Sequence, residues 1–398
     1  MYTILVNEMN IRGGTHKQVV RLCEYLKNNN YEYELITKKY AVSYTYPECR
    51  NLNIKSMLRE NAPLKFEVRN NGGNSIRERI TRKLQRIRED FWLYKLISSK
   101  STVVNFHDNG MSLCMWMCII SGKKIIWQIN DLPGVFFEGV SKSQKREKDN
   151  YKCKFYRWYY RFLAKHVDCI TVNVSKNKER VIKCLGRNAS VLYCGTDIIE
   201  GAKLHAKINN MDEIHLVSTG VFFPYRNYET IVDVVHELVL RNVNCTLDII
   251  GSTDTNKAYA DKINAQVNKY NLQKRVKIWG QVDEDTYNEI YAKADIFLFL
   301  NIEQSWGLAV FEAMGQGLPV IVSNSVGAIE LLNDRIDSII VDPKNVNVIS
   351  DEIQKLAGES SYYSRISSNA VKSVKRFTWD NLYSSKMVKI FADMENKK

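Results

Sequence analysis

The feature that most constrains the fold of this chain is a regular alternation of short apolar runs with helical patterns along nearly all of its 398 residues. The apolar runs are rich in β-branched and aromatic residues and do not alternate with polar ones, which is typical of strands covered by helices on both faces. Alternating strands and helices predict an α/β fold with doubly wound parallel sheets. The predicted strands lie at Thr3–Val6, Tyr33–Thr37, Thr102–Phe106, Lys124–Ile129, Cys169–Val172, Ser190–Tyr193, Ile214–Thr219, Thr246–Ile250, Val276–Trp279, Asp295–Leu300, Pro319–Val322 and Ser338–Val341.

The length of the chain predicts two domains, because one ordinary core cannot serve 398 residues. A polar stretch, 198–212, separates two strand–helix series, and we place a first domain at 1–203 and a second at 204–377. We expect the remaining helical segment, 378–398, to pack back on the first domain. Ligands of such sheets bind at the carboxyl ends of the strands, so two facing domains would form a cleft that holds the chemistry.

Composition indicates a cytoplasmic protein. The first residues lack the features of a signal peptide, and no apolar stretch approaches the roughly 18–20 residues of a membrane span. The nine cysteines are scattered and do not form the two close pairs of a zinc site, so we expect reduced thiols. The net charge of +13 permits nucleic acid, an anionic membrane surface or phosphorylated small molecules as partners.

The most specific stretch begins at Glu303 and reads Glu-Gln-Ser-Trp-Gly-Leu-Ala-Val-Phe-Glu, ending at Glu312. A buried strand should end near Leu300 and a helix should open near Gly307. Free N–H groups at a helix start suit a diphosphate, and Gly307 would let the backbone approach that anion. The carboxylate of Glu312 can accept two hydrogen bonds from a ribose diol. Alternatively, Glu312 complements the helix dipole and Gly307 makes only a turn.

This stretch resembles the donor-binding signature of glycosyltransferase family 4, in which two glutamates lie eight positions apart around an aromatic–glycine step. Similar motifs of the same family follow in order along essentially the whole chain. They are Gly13-Gly-Thr15, Asp168-Cys-Ile-Thr-Val-Asn-Val-Ser175, Gly195-Thr-Asp197, Gly280-Gln-Val-Asp-Glu-Asp285, Tyr291-Ala-Lys-Ala-Asp295, Gly327-Ala-Ile-Glu330 and Phe377-Thr-Trp379.

The resemblance implies a GT-B fold, with two Rossmann-like domains facing each other across a cleft. It implies transfer of a hexosyl group, with retention at the sugar carbon, from a nucleotide-diphosphate sugar to a saccharide or glycolipid acceptor. Neither metal nor cofactor is expected, and a UDP-sugar is favoured over GDP-mannose. The implied donor-binding residues are Gly13, Gly14, Gly220, Arg226, Trp279, Gly280, Gln281, Val282, Gln304, Ser305, Trp306, Gly307, Leu308, Ala309 and Glu312.

The candidates for catalysis include positions where the chain departs from the family pattern. Val221 replaces the arginine that usually follows Gly220, whereas Arg226 retains the second cation and can hold phosphate oxygens in a bidentate way. Gln304 stands where the first glutamate is expected, and Glu303 lies one residue early, so one of these two residues is expected to contact the sugar. On the first domain Asn130 stands where the family often has histidine, and His107 is a possible acceptor-side residue.

Three further segments allow more than one interpretation. Asp283-Glu-Asp285 has the spacing of a metal-binding carboxylate pair, but it directly precedes a helix, and we predict that it caps that helix. Basic residues flank a helical stripe of Ile76, Ile80, Leu84, Ile87 and Phe91, and nine Lys or Arg residues lie among aromatic residues between Lys142 and Lys165. These helices either pack their stripes on the first sheet or hold the protein on anionic lipid, and we favour lipid for at least one.

Two alternatives to a glycosyltransferase remain open at this point. A nucleotide-sugar epimerase of the same architecture would need paired acid–base side chains, and a non-catalytic partner subunit would be consistent with Val221 and Gln304. Nucleic-acid binding has little support, since no recognisable module accompanies the basic charge.

Overall fold

The computed structural model of the protein describes residues 1–10, 12–59, 76–136, 151–197, 213–302 and 306–396. These residues form two compact units. The first unit extends to Gly195 and also includes the C-terminal segment from Trp379, and the second covers the described part of Thr196–Thr378. The predicted boundary at 203/204 falls in residues 198–212, which lie outside the described part of the chain.

The first unit is built on a parallel sheet of seven strands in the order β3-β2-β1-β4-β5-β6-β7. One strand, β3, was not predicted. It lies at the edge of the sheet, and its sequence Ile-Lys-Ser-Met-Leu-Arg is less apolar than that of the central strands. The strands are β1 Tyr2–Met9, β2 Tyr33–Tyr40, β3 Ile54–Arg59, β4 Val103–His107, β5 Lys124–Ile129, β6 Cys169–Val172 and β7 Ser190–Val191.

Helices cover both faces of this sheet. One face packs in an apolar core that contains Phe106 and Trp127 together with Leu93, Cys114 and Leu163 of the neighbouring helices. The C-terminal helix contacts β1, where Tyr2 donates a hydrogen bond to Glu395 (3.0 Å). The helices are α1 Gly14–Asn28, α2 Ile76–Leu96, α3 Ser112–Ile120, α4 Tyr151–His166, α5 Ser175–Leu185 and, at the C-terminus, α12 Ser385–Asn396, which follows a π-helical turn at Asp380–Ser384.

The second unit contains a parallel sheet of six strands in the order β10-β9-β8-β11-β12-β13. Its strands are β8 Ile214–Thr219, β9 Cys245–Ile250, β10 Val276–Gly280, β11 Ile296–Phe299, β12 Val320–Ser323 and β13 Ile339–Val341. Its helices are α6 Tyr228–Leu240, α7 Lys257–Lys269, α8 Glu284–Lys293, α9 Leu308–Gly315, α10 Val346–Gly358 and α11 Ser360–Val374. A separate apolar core joins this sheet to α6, α7, α10 and α11.

Both sheets have a switch point, where successive strands of the chain run to opposite sides of the first strand. In the first unit it lies between β1 and β4, and in the second between β8 and β11. Ligands of doubly wound sheets bind at the carboxyl ends of the strands beside such a point. The predicted α/β architecture of two parallel-sheet domains is therefore confirmed, and it directs attention to the loops after these four strands.

The apolar stripe of α2 does not pack on the sheet. Ile80, Leu84, Ile87 and Phe91 are each exposed by 44–60%. For this helix the packing interpretation of the stripe is wrong, because helical periodicity shows that a helix is amphipathic but does not show what covers its apolar side. Within the described residues, no helix is long and apolar enough to span a membrane.

Candidate active site

Two glycines at the carboxyl ends of β8 and β9 bring the backbone of the second unit into unusually close contact. Gly220 has φ +148° and Gly251 has φ +151°, both in the region that favours glycine. A Cβ atom on Gly251 would lie 2.0 Å from the carbonyl oxygen of Gly220. A Cβ atom on Gly220 would lie 2.5 Å from the guanidinium carbon of Arg226. Gly220 therefore lets the Arg226 side chain lie directly against the end of β8.

The half-buried guanidinium of Arg226 lies near two aromatic rings. Its carbon is 5.3 Å from the ring centroid of Tyr225 and 5.9 Å from that of Phe299, distances at which cation–π attraction acts. The following residue, Asn227, has φ +56° and donates hydrogen bonds to the carbonyl oxygens of Leu300 and Pro343, both at 3.1 Å. These contacts fix a cation at the switch point of the second sheet.

Phe299 also contacts the start of α9. Gly307, immediately before that helix, has φ +133°, and a Cβ atom there would lie 3.0 Å from Cε1 of Phe299. The loop after β11 is tied to the loop after β8 by a hydrogen bond from the amide of Ile302 to the carbonyl oxygen of Tyr225 (2.7 Å). The positive end of α9, with the backbone of Leu308 and Ala309, thus lies on the same side of the sheet as Arg226.

Glu312 lies on the second turn of α9 and is half-buried. Burial raises the pKa of Tyr287, and the nearby charge of Glu312 raises it further. The rings of Tyr287 and Tyr291 stack with centroids 4.4 Å apart, and the Tyr291 hydroxyl lies 3.3 Å from Oγ1 of Thr219. Because Thr219 is the last residue of β8, Glu312 and Arg226 both lie near the end of this strand.

Other predicted donor-side residues surround this position or lie outside the described chain. Trp306 is buried and stacks on Phe311, with ring centroids 5.4 Å apart. Glu303, Gln304 and Ser305 are outside the described residues, so their assignment stays a prediction.

The segment predicted to face the nucleobase follows the neighbouring strand, β10. The indole N–H of Trp279 donates to Asp248 (2.6 Å), and Gly280 has φ +70° and accepts a hydrogen bond from the amide of Gly251 (2.8 Å). Gln281 is exposed and Val282 is half-buried. The backbone of this segment is therefore hydrogen-bonded to Gly251, next to the loop that contains Arg226. The indole N–H of Trp279, in contrast, is hydrogen-bonded to Asp248.

Asp283 caps α8, as predicted. Its carboxylate accepts a hydrogen bond from the amide of Thr286 (2.8 Å), and hydrogen bonds from Thr286 lower its pKa. The carboxylate needed for a metal-binding pair with Asp285 is thus part of a helix cap. Among the residues that the structure describes, no group of three or more His, Cys, Asp or Glu side chains is placed to hold a metal ion.

In the first unit Asn130 connects the end of β5 to the start of α1. Its amide nitrogen donates to Thr15 and Gln18, both at 3.1 Å, and its amide oxygen accepts from Gln128 (3.0 Å). Gly13 precedes α1 and Gly14 begins it. These contacts give Asn130 a structural role, and any catalytic role stays a prediction.

His107 is fully buried at the end of β4. Burial lowers its pKa to about 3, and the neighbouring His16 contributes to the same shift. The imidazole is therefore neutral near pH 7 and lacks the additional proton that an imidazolium could transfer as an acid. A role on the acceptor side would have to be that of a neutral hydrogen-bonding group.

The next residue, Asp108, was not singled out by the sequence. The pKa of its carboxyl group is raised to about 6, mainly by burial and in smaller part by the negative charge of Asp131. Hydrogen bonds from Thr15 and Asn130 oppose this rise. Its φ of +60° is uncommon for a residue other than glycine. A titratable group at a strand end beside the switch point is a candidate functional residue. The one signal in the sequence is its position two residues after the predicted strand Thr102–Phe106, which by itself does not distinguish it from its neighbours.

Comparison with known proteins relates the second unit to a family of glycosyltransferases. The family model of glycosyl transferases group 1 matches residues 202–373, which cover the second unit and the site around Arg226 and Glu312. The chain is a glycosyltransferase, and its second unit is similar to the group 1 family. It is 24% identical over 389 residues to an uncharacterized glycosyltransferase of Methanocaldococcus jannaschii, a match that covers 94% of this chain and 92% of that protein.

Two solved structures share the fold over the full length of the chain. A sucrose-phosphate synthase of Thermosynechococcus elongatus superposes with a TM-score of 0.76 at 17% identity, covering 100% of both chains. The Anabaena protein HepE, solved in complex with UDP and glucose, superposes with a TM-score of 0.68 at 13% identity, covering 99% of this chain and 100% of that one. At these identities the similarity establishes the GT-B fold and does not extend to substrates.

Proposed function

We propose that this glycosyltransferase moves a hexosyl group from a nucleotide-diphosphate sugar to a saccharide or glycolipid acceptor, with retention at the sugar carbon and without a metal ion. The observation that carries the proposal is the position of the Arg226 guanidinium against Gly220, beside the start of α9. A fixed cation and a helix N-terminus on one side of a sheet suit a diphosphate.

The protein's contribution to the reaction is mainly positioning and stabilisation of charge. As the bond from the sugar to the diphosphate breaks, Arg226 and the amides at the start of α9 would stabilise the negative charge that develops on the departing phosphate. That phosphate would then help to accept the proton of the incoming hydroxyl on the same face of the sugar. Glu312 would hold the ribose hydroxyls, which fixes the donor for the reaction.

A UDP-sugar is the favoured donor in this proposal. The complex of HepE with UDP and glucose supports that choice, because this fold accommodates such a ligand in that protein. The acceptor would contact first-unit loops such as 10–15 and 129–138, of which residues 11, 137 and 138 lie outside the described chain. A glycolipid acceptor would place the protein at the cytoplasmic surface of a membrane.

The proposal is tested by incubating the protein with UDP-glucose, UDP-galactose and GDP-mannose, with and without added saccharide or glycolipid acceptors. The anomeric proton of the transferred sugar, observed by NMR in the product, should show the configuration of the donor. An inverted product would contradict retention, and full activity that is lost with a chelator would contradict metal independence. Conversion of a donor to its epimer without acceptor would instead establish the epimerase alternative, and nucleotide binding without any turnover would indicate the non-catalytic one.

A further inference from the structure

Most of the large apolar side chains that the structure exposes lie on three helices of the first unit. Their exposed fractions range from 37% to 82%, although side chains of this size are ordinarily buried. We call this surface the aromatic–basic face. Its apolar members are Ile80, Leu84, Ile87, Phe91 and Trp92 of α2, Ile120 at the end of α3, and Phe155, Tyr156, Trp158 and Phe162 of α4.

The aromatic side chains of α4 form a continuous row. Phe155 lies 5.9 Å from Trp158, and Trp158 stacks on Phe162 at 5.5 Å with an interplanar angle of 9°. Phe162 in turn lies 5.4 Å from Trp116 of α3. Phe155 and Trp158 are exposed by 56% and 57%. The row is therefore ordered by its own ring contacts while it remains open to solvent.

The side chains in the middle of α2 are open to solvent. Every described side chain from residue 80 to residue 88 is exposed, on all sides of the helix. The second half anchors it, through the buried Leu93 and through an ion pair in which Nζ of Lys38 lies 3.0 Å from the carboxylate of Asp90. An amphipathic helix held at one end, with its apolar stripe uncovered, is available to bind a partner.

Positive charge accompanies the apolar side chains. Helix α4 contains five basic residues and no acidic one, and α2 contains seven basic residues against three acidic ones. Two of the acidic residues of α2, Glu89 and Asp90, pair with Lys38. Much of the net charge of +13 is therefore concentrated on these two helices.

The two helices contribute to one surface. Both helices contact α3, which lies on the same side of the first sheet. Helix α3 packs between them, in contact with α2 and with the aromatic row of α4.

We propose that the aromatic–basic face binds the surface of an anionic lipid bilayer. Trp and Tyr side chains favour the interface between lipid head groups and acyl chains, and Lys and Arg are attracted to the negative surface potential. A nucleic acid would use the cations but would leave Ile80, Leu84 and Ile87 in water. The inference adds a partner to the proposed function, and its purpose rests on that function, because a glycolipid acceptor resides in a membrane.

The experiment is co-sedimentation of the full chain with vesicles of phosphatidylcholine alone and with vesicles in which about 30% of the lipid is phosphatidylglycerol. We expect strong binding to the anionic vesicles and weak binding to the neutral ones. Added salt should weaken binding without abolishing it, because it screens charges but leaves the apolar contacts. Failure to bind either vesicle, or equal binding to both, would overturn the proposal.

Two variants separate the contributions of charge and of the aromatic row. Lys83→Glu with Lys154→Glu should lower the partition coefficient on anionic vesicles roughly tenfold or more. The matched control is Lys274→Glu with Lys372→Glu, which makes the same charge change at exposed positions of the second unit and should have a much smaller effect. Equal losses in both pairs would show that only net charge matters and would contradict a defined face.

Phe155→Ser with Trp158→Ser should also release the protein from anionic vesicles, although its charge is unchanged. Leu240→Ser, at a residue of α6 that is 64% exposed, is the matched apolar control and should bind as the unmodified protein does. If the Phe155/Trp158 variant still sediments fully, while the Lys83/Lys154 variant loses binding to single-stranded DNA, the partner is a polyanion and the lipid proposal is wrong.

The test is independent of the transfer reaction. Glu312→Ala should lose nucleotide affinity and still sediment with anionic vesicles. Vesicle binding without any nucleotide binding by the unmodified protein would contradict the proposed function alone, and nucleotide binding without vesicle binding would contradict the lipid proposal alone.

Discussion

Arg226 is the residue on which the proposed chemistry depends most. We expect Arg226→Ala to lower kcat by about two to three orders of magnitude, because charge on the departing phosphate loses its fixed cation. Nucleotide affinity should fall much less. The kcat of Arg226→Lys should lie between those of Arg226→Ala and the unmodified enzyme. Lysine retains the charge but lacks the planar group that lies near the rings of Tyr225 and Phe299.

Steady-state kinetics with saturating donor checks this prediction. Arg365→Ala, at an exposed arginine of α11, is the control and should retain the kcat of the unmodified enzyme. A kcat of Arg226→Ala within a factor of about two of the unmodified value would mean that another group stabilises the departing phosphate.

Asp108 should make stability depend on pH in an unusual direction. Its pKa of about 6 lies above the usual value of about 3.9 for an exposed Asp, so the folded protein retains this proton where the unfolded chain has lost it. Stability from this group is therefore present below about pH 4 and is lost as the pH rises through about 6. Asp108→Asn should change stability little at pH 4 and raise it by up to about 2–3 kcal/mol at pH 8.

Denaturant unfolding of the Asp108→Asn variant at the two pH values measures the difference. An equal effect at both would show that the Asp108 carboxyl group titrates at the same pH in the folded and unfolded chains. The sequence did not indicate this residue, because burial and the nearby Asp131 are properties of the folded structure.

At the scale of single elements, the start of α9 is the most constrained part of the site. Gly307→Ala would place a Cβ at φ +133° and 3.0 Å from Phe299, so we expect a loss of roughly 1–3 kcal/mol in the free energy of unfolding and weaker nucleotide binding. The control is Gly315→Ala in the same helix, where a Cβ would meet only Val374 at an ordinary 3.6 Å. Thermal unfolding and calorimetry should distinguish the two, and equal tolerance of both would contradict a specific role for Gly307.

The elements that the sequence predicted best are those buried on both faces. Three strands have the predicted bounds: Lys124–Ile129, Cys169–Val172 and Ile214–Thr219. In each case the continuous apolar run between two helical segments defines where the strand begins and ends. The edge strand Ile54–Arg59 was missed, since one neighbouring strand imposes less apolar character than two.

The candidate site was predictable to a similar degree. Gly220, Arg226, Gly307 and Glu312 are indicated by a resemblance that preserves their order in the chain. The aromatic rings around Arg226 were not predicted from the sequence. Contacts between residues distant in sequence, such as Arg226 and Phe299, form only when the strands assemble into the sheet.

At the scale of the whole molecule, different properties are concentrated in different units. The second unit contains its own apolar core and the site around Arg226, and residues 202–373 match the family model. The first unit contains a separate core and the aromatic–basic face. We expect variants of the aromatic–basic face to change binding to vesicles, and variants around Arg226 to change the rate of sugar transfer.

The central claim is that a nucleotide diphosphate binds in the second unit between Arg226 and Glu312. Calorimetric titration of UDP into the full chain tests it most directly, with Glu284→Ala, at an exposed acid of α8, as the matched control. We predict that Glu312→Ala loses about 2–3 kcal/mol of UDP affinity, since it removes a charged partner of the ribose hydroxyls, and that the control binds as the unmodified protein does. Unchanged UDP affinity in a folded Glu312→Ala protein would contradict the account.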